Sequence, residues 1–342
     1  MMAPASDRDH RVGLAFLGAP RVPEMVRLAR KAEASGFESL WVAETRITRD
    51  AVVPMAAIAA ATERVRLGTA ILNVYTRNPV VIAITFISLD ELAPGRIVMG
   101  LGAGSPLVLA PQGQAFTRPL TRMREYVEVL RPLMRGETVT YSGKTVELVE
   151  ARIEDLLSGD AQIALDSTAV PLYLGVTGAP ALKLAGETAD GVLLNVCLPT
   201  DYVIRARGLI EQGARRAGRD ASAIEIGMML VVSPDEDSRR GKGRARRFIA
   251  LYLSLFPNIA TETGLPAEWL ERLRTTFHAD GIEAAARLVD DATVDGLTAA
   301  GTPAECNARI DDYRRAGVDL PVMVALEGAI DQTIDLLGPA RS

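Results

Sequence analysis

Short apolar runs rich in β-branched residues alternate along the chain with segments of helical periodicity, a pattern typical of parallel βαβ units. Several runs, such as Ile97-Val98-Met99, are apolar throughout, as expected for strands that are covered on both faces. We predict eight strands, over residues 12–17, 39–43, 65–71, 97–101, 172–174, 191–195, 224–232 and 321–326.

Helical segments lie between these runs. Residues 23–35 carry apolar side chains on one stripe and basic side chains elsewhere, and residues 122–135 form a second such segment. Thr302, followed by a proline and by Glu305, matches a capping box, which predicts a helix that starts there and stops at Gly317.

Eight strands, each followed by a helix, favour a (β/α)8 barrel over a doubly wound sheet. The chain has 342 residues, and its excess over the usual ~250 for this fold falls in two insertions. One, over 136–170, follows the fourth helix and begins with a hairpin-like pattern, and the other, over 239–301, lies between strands seven and eight. Neither differs in composition from the rest, so we predict a single barrel domain over 12–338 and a disordered tail over 1–11.

Composition and charge narrow the function classes. Apolar residues make up 48% and charged residues 24%, and the net charge is -5, which argues against a nucleic-acid binder. We expect a cytoplasmic protein without a signal peptide or membrane span. Cys197 and Cys306 are too few and too far apart for a disulfide scaffold. With only His10 and His278, a Ser-His-Asp triad or a multi-histidine metal site is not expected.

In such a barrel the active site lies at the carboxyl ends of the strands. Those ends collect the carboxylate of Glu44, the amides of Asn73 and Asn195, and two glycine-rich turns, at 100–105 and 175–178. The second turn precedes a helix and could cradle a phosphate through free N–H groups. The alternative is a tight turn that needs glycine for a positive φ.

These strand ends resemble the bacterial luciferase-like superfamily, and within it the coenzyme F420-dependent branch that includes the methylenetetrahydromethanopterin reductases. The resemblance covers residues 12 to 336 and rests on the motifs WVAE at 41–44, YTRNP at 75–79, GRIVMGLGAGS at 95–105, VPLYLGVTG at 170–178 and ADGV at 189–192.

The resemblance implies a barrel that binds a deazaflavin at its mouth. It places a non-prolyl cis peptide at Ala70–Ile71, behind the deazaflavin ring, and it places Glu44 near that ring. The implied cofactor-binding residues are Asn73, Gly102, Ala103, Gly104 and Ser105 along the ring or ribityl chain, and Gly175, Val176, Thr177 and Gly178 at the phosphate.

Two positions depart from the family pattern. Thr45 stands where relatives often have histidine, so histidine proton chemistry is not carried over. Ala15 stands where the reductases place a catalytic glutamate, which argues for a substrate other than the pterin.

The first hypothesis is therefore an F420-dependent oxidoreductase, a homodimer acting on a small molecule, that moves a hydride between deazaflavin C5 and an electrophilic C=N or C=C bond. Glu44 is its candidate catalytic acid or base; the alternative is an ion pair with Arg46 or Arg77. An FMN-dependent monooxygenase, and a barrel that has lost catalysis and serves as a binding or partner subunit, remain open. The basic run over 239–247 could meet the acidic tail of F420 or an anionic substrate, although such runs are usually solvated.

Overall fold

The structure of the chain, a computed structural model, describes residues 10–17, 20–44, 48–153, 170–326 and 328–339. Its strands are β1 Gly13–Phe16, β2 Ser39–Val42, β3 Arg66–Thr69, β4 Leu72–Asn73, β5 Ile97–Gly102, β6 Val139–Ser142, β7 Glu147–Ala151, β8 Leu172–Gly175, β9 Gly191–Leu194, β10 Glu225–Pro234, β11 Ala299–Gly301 and β12 Leu320–Ala325. Its helices are α1 Val22–Ala34, α2 Val52–Ala59, α3 Pro79–Leu92, α4 Pro106–Leu109, α5 Pro119–Met134, α6 Ala179–Thr188, α7 Thr200–Arg216, α8 Ser238–Leu255, α9 Pro257–Ala260, α10 Ala267–Asp280, α11 Ile282–Ala286, α12 Asp291–Leu297, α13 Pro303–Ala316 and α14 Ile330–Leu337.

Eight parallel strands close into a barrel in the order β1-β2-β3-β5-β8-β9-β10-β12, and β12 pairs with β1. All eight coincide with predicted strands, which confirms the predicted (β/α)8 barrel. Two further short strands were missed. β4 has only two residues, and β11 has the sequence Ala-Ala-Gly, so neither carries the β-branched signal on which the prediction depended.

Large aromatic side chains fill the lower barrel interior, and glycines on neighbouring strands make room for them. Trp41 is fully buried, and a Cβ added at Gly68 would lie 2.5 Å from its ring. The Trp41 and Tyr173 rings lie 5.6 Å apart, and a Cβ at Gly191 would lie 2.3 Å from the Tyr173 ring. These contacts show that Trp41 of β2, Gly68 of β3, Tyr173 of β8 and Gly191 of β9 face the barrel interior.

The ends of helices α13 and α5 lie at or near the predicted positions, because local sequence signals determine them. The Thr302 hydroxyl accepts a hydrogen bond from the Glu305 N–H, the Glu305 carboxylate accepts one from the Thr302 N–H, and α13 ends before Gly317 at φ 113°. Helix α5 begins at Pro119, three residues before the predicted start, because a proline fits the first turn of a helix.

Elements beyond the eight barrel strands occur in both segments for which insertions were predicted. After α5, β6 and β7 form an antiparallel hairpin, whose turn donates the N–H groups of Lys144, Thr145 and Val146 to the buried carboxylate of Glu125. Residues 154–169 of this insertion lie outside the described residues. The second insertion contains α8 to α12 and β11.

The amino-terminal boundary of the barrel includes Arg11, whose guanidinium lies 2.8 Å from the Glu225 carboxylate at the start of β10. Residues 1–9 of the predicted tail lie outside the described part of the chain. None of the helices that the structure describes is long and apolar enough to cross a membrane.

Candidate active site

The floor of the barrel mouth is formed by Ile71 and by glycines on two neighbouring strands. A Cβ at Gly102 would lie 2.5 Å from Ile71 Cδ1, and one at Gly175 would lie 2.7 Å from Ile71 Cγ2. The peptide bond between Ala70 and Ile71 is cis, at the position that the family resemblance predicted. The Ile71 side chain therefore occupies the space that side chains at residues 102 and 175 would need.

Asn73 joins this floor to the loop that follows β5. Its Oδ1 accepts a hydrogen bond from the Tyr75 N–H at 2.8 Å, and its Nδ2 donates to the Ala103 carbonyl at 3.3 Å. Gly104 has φ +67°, and a Cβ there would lie 2.3 Å from Asn73 Nδ2. The Oγ of Ser105, in the same loop, is buried and has no hydrogen-bond partner among the described residues. A buried hydroxyl without a partner indicates a place where a bound molecule can supply one.

Glu44 lies beside this loop and forms an ion pair. One of its carboxylate oxygens is 3.0 Å from Arg77 Nη2, and the other accepts a long hydrogen bond of 3.4 Å from the Asn73 N–H. Arg77 also lies 3.8 Å from the Asp50 carboxylate. The ion pair with Arg77 that the sequence offered as an alternative is thus present, whereas Thr45 and Arg46 lie outside the described residues.

An open cleft of about 490 Å³ lies over Glu44 and Arg77. Its lining mixes charges of both signs with polar side chains and consists of Glu44, Thr48, Arg49, Asp50, Asn73, Thr76, Arg77, Val108 and Gln112. Most of these residues were not singled out from the sequence, because they come from separate loops after β2, β4 and β5. Among the described residues, no cluster of His, Cys, Asp and Glu could hold a metal ion.

Tyr75 attaches the segment before α5 to the mouth. Its hydroxyl donates to the Thr117 carbonyl at 2.6 Å, and its ring lies 5.6 Å from that of Phe116. The guanidinium of Arg122 lies 4.6 Å from the centre of the Tyr75 ring, as in a cation–π contact. These contacts give Tyr75 a packing role in the wall of the mouth.

The turn from Gly175 to Gly178 leads from β8 into α6. Neither glycine has a positive φ, so the alternative that this turn needs glycine for a left-handed backbone is wrong. The Ile71 side chain explains why residue 175 is glycine, because it occupies the space that a side chain there would need. Gly178, at φ -73°, is different, because a Cβ there would meet no heavy atom of the described residues within 4 Å. Space is therefore left open at the amino end of α6, beside the Ala179 N–H, which has no helical partner and so favours an anion; Pro180 carries no N–H, and the Ala181 N–H bonds to the Gly178 carbonyl.

Val176 and Thr177, the other two residues of this turn, leave less open space around them. The Thr177 carbonyl accepts a hydrogen bond from the Tyr202 hydroxyl at 2.6 Å, and Val176 is buried. The structure thus brings Ala70, Ile71, Asn73, Gly175 and the loop at 102–105 into one contiguous floor. Glu44 and the open space beside Gly178 lie at the margins of this floor.

The basic run at the start of α8 is neutralised by acidic residues of its own region. Five of its six charged side chains form ion pairs, so the hypothesis that the run meets a cofactor tail or anionic substrate is not supported. The pairs are Arg240 and Arg244 with Asp235, Lys242 with Asp295, Arg246 with Asp291, and Arg247 with Glu283.

Comparison with known proteins identifies the family. A family model described as luciferase-like monooxygenase matches residues 5–320. The chain belongs to this family. A 5,10-methylenetetrahydromethanopterin reductase of Methanolobus tindarius is 30% identical over 308 residues, which cover 90% of this chain and 91% of that protein. An F420-dependent glucose-6-phosphate dehydrogenase of Nakamurella multipartita is 32% identical over 243 residues, 67% of this chain and 69% of that protein.

A solved structure gives the same result for this luciferase-like chain. The coenzyme F420-dependent tetrahydromethanopterin reductase of Methanopyrus kandleri matches with a TM-score of 0.85 and 26% identity, over 96% of this chain and 98% of that one. The predicted fold and the predicted family are both confirmed.

Proposed function

We propose that this chain is an F420-dependent oxidoreductase that transfers a hydride between C5 of the deazaflavin and an electrophilic C=N or C=C bond of a small organic substrate. The observation that carries the proposal is the likeness, over nearly the whole chain, to a reductase whose description names coenzyme F420. When bound, the cofactor would supply the hydride chemistry, and the protein would supply orientation and electrostatics.

The residues at the mouth fit such a cofactor. The open space at Gly178 and the Ala179 N–H at the start of α6 suit its phosphate. The unpartnered Ser105 hydroxyl can bond to a polar group of its ribityl chain, beside Asn73, Ala103 and Gly104. The Ala70–Ile71 segment, supported by Gly102 and Gly175, would lie behind the ring.

Glu44 is the proposed catalytic group, because reduction of a C=N or C=C bond adds a proton as well as a hydride. Its pair with Arg77 keeps the carboxylate at the edge of the cleft and within reach of water. Ala15 points into the barrel and is buried, so β1 offers no carboxylate there, and we do not extend the pterin substrate of the reductases to this chain.

The test is a titration of the purified protein with F420 and, separately, with FMN, followed by fluorescence. Micromolar or tighter binding of F420 with weak binding of FMN supports the proposal. A preference for FMN would instead favour an FMN-dependent monooxygenase, and binding of neither would favour a barrel that has lost catalysis.

A pair of glycine variants tests the phosphate site. Gly178→Leu fills the open space and should weaken F420 binding by at least about tenfold, since it blocks an anion at a helix end. Gly208→Leu on α7 is the matched control, because a Cβ there also meets nothing within 4 Å. Equal affinity of the two variants would contradict the assignment of the phosphate to Gly178.

A further inference from the structure

Asn195 directly follows β9 and lies on the face of that strand that points into the barrel. Gly191 faces the interior, since a Cβ there would meet the Tyr173 ring. Side chains alternate along a strand, so Leu193 and then Asn195 share this face. Asn195 therefore stands at the mouth, one step above Leu193, which pairs with Gly175 in the floor.

The orientation of the Asn195 amide is determined by its neighbours. Its Oδ1 accepts a hydrogen bond from the Val196 N–H at 2.8 Å, and a backbone N–H can only donate, so the atom it meets is the oxygen. The hydroxyl of Tyr252 donates to the same oxygen at 2.7 Å. Both acceptor positions of Oδ1 are thus in use, whereas the two N–H groups of Nδ2 contact no acceptor among the described residues.

Tyr252 is itself held in place by two other rings. The Phe248 ring stacks on it at 5.4 Å and 13°, and the Phe256 ring lies 4.6 Å away on the other side along α8. Burial raises the pKa of the Tyr252 phenol, which therefore stays protonated and can donate. The insertion between strands seven and eight thus fixes the direction of a side chain that belongs to strand six.

The backbone after Asn195 is also anchored. The hydroxyl of Tyr313 on α13 donates to the Leu198 carbonyl at 2.8 Å. Cys197, which lies between Asn195 and Leu198 in the sequence, is fully buried and has a left-handed backbone at φ +58°. Donors that are fixed before binding cost less ordering free energy than mobile ones.

We propose that Asn195 is a binding residue that donates an amide N–H to a carbonyl-type oxygen of the molecule in the mouth, and that Tyr252 is the positioning residue that orients it. This inference rests on the proposed function and adds the polar group that a substrate carries. The oxygen belongs either to the substrate, as in an α,β-unsaturated carbonyl compound, or to the ring of the deazaflavin.

The chemistry of such a substrate explains why a fixed donor is useful. A C=C bond becomes electrophilic when it is conjugated to a carbonyl group. When a hydride from the reduced cofactor adds to the far carbon, the C=C electrons shift and negative charge develops on the carbonyl oxygen; a proton, which Glu44 would relay from water, then adds to the carbon next to the carbonyl. A neutral N–H donor directed at that oxygen stabilises the charge as it forms.

The decisive variant is Asn195→Asp. It keeps the oxygen that Val196 and Tyr252 contact and replaces only Nδ2 by an acceptor, so the fold should be retained. In the first arm, F420 is titrated into wild type and variant. In the second arm, the F420-loaded proteins are titrated with 2-cyclohexenone and with cinnamate, and binding is followed by thermal shift. Asn307→Asp, on the exposed side of α13, controls for the added charge.

Affinity should fall at least about tenfold in one of the two arms, since one donor is lost and a repulsive oxygen is introduced. Weaker F420 binding places the acceptor on the cofactor, and unchanged F420 binding with weaker probe binding places it on the substrate. If Asn195→Asp equals wild type in both arms, including the case in which no probe binds either protein, the inference is overturned. A wild type that does not bind F420 would instead sink the proposed function.

Tyr252→Phe tests the positioning role. It keeps the ring stack and removes only the hydroxyl, so affinity in the responding arm should fall by about two- to fivefold. It should have no further effect in an Asn195→Ala background, because Tyr252 acts through Asn195. Tyr141→Phe, in the hairpin of the first insertion, is the matched control. An equal loss from Tyr252→Phe in both backgrounds would show that Tyr252 acts only through packing.

Discussion

The contact between Gly102 and Ile71 allows a quantitative test of how the floor of the mouth is built. Gly102→Ala would place a Cβ 2.5 Å from Cδ1 and 2.6 Å from Cγ1 of Ile71, whereas ordinary carbon–carbon contacts lie at about 3.5–4.0 Å. The Ile71 side chain must therefore move by about 1 Å, and the open direction is the mouth, where the cofactor is proposed to bind.

The cost of this change can be estimated from similar substitutions. Overpacking of this kind destabilises by about 1–3 kcal/mol. Ile71→Ala removes both atoms with which the new methyl group would clash and, because Ile71 is only partly buried, should cost about 2 kcal/mol, near the lower end for such truncations. If the sites were independent, the double variant would lose about 3–5 kcal/mol. We expect it to lose only about 2 kcal/mol, which gives a favourable coupling of about 1–3 kcal/mol.

The assay is the free energy of unfolding from urea denaturation of wild type, both single variants and the double variant, together with their affinities for F420. Gly102→Ala should weaken F420 binding, and the double variant should recover part of it. Ile210→Ala, on α7 outside the barrel, replaces Ile71→Ala in a control cycle that should be additive. Additivity in the Gly102–Ile71 cycle would refute the packing argument.

Three further predictions concern other parts of the molecule. Glu125→Gln should cost about 1–3 kcal/mol at pH 7, measured by urea denaturation, because three backbone N–H groups lose a charged acceptor. Burial opposes ionisation of Glu125, but a hydrogen bond from the Thr145 hydroxyl and those from the three backbone N–H groups outweigh it and hold its pKa below the usual range, so the stabilisation should be complete above the unfolded-state pKa and should vanish as the pH falls through the folded one; a difference between the proteins that does not change with pH would contradict this. Helix α2 and residues 79–84 of α3 consist of apolar residues, and α3 leaves Val81 and Ile84 more than 40% exposed, so we predict a homodimer across this face, which Ile84→Glu should convert to a monomer in light scattering; a monomeric wild type would exclude it. Once a substrate is found, Glu44→Gln should lower kcat by about 100-fold while F420 affinity stays within about twofold, and an unchanged kcat would remove Glu44 as a proton-transfer group.

Local sequence signals predicted the parts of the structure that local forces determine. The capping box at Thr302 and the eight apolar strands follow from hydrogen bonding and side-chain periodicity within a few residues. The site was only partly accessible in this way. The family resemblance located the cis bond before Ile71, but periodicity alone cannot indicate a peptide isomer.

Long-range pairing accounts for what the sequence did not show. The bond between Asn195 and Tyr252 joins residues 57 positions apart, and only the aromatic spacing of Phe248, Tyr252 and Phe256 along α8 hinted at an ordered face. The basic run at the start of α8 was interpreted as a possible contact for an anionic ligand for the same reason, because its carboxylate partners lie up to some tens of residues away in the sequence.

The tryptophan buried in the barrel also gives the protein an intrinsic fluorescent probe. The chain has two tryptophans, of which Trp41 is enclosed in the barrel and Trp269 lies on α10 in the second insertion. Emission from Trp41 comes from a dry, rigid environment below the mouth, whereas Trp269 is partly exposed to water. Replacing Trp269 by phenylalanine would leave a signal from the barrel alone, and replacing Trp41 would leave a signal from the insertion. The two emissions can therefore show whether the insertion loosens from the barrel before the barrel itself unfolds.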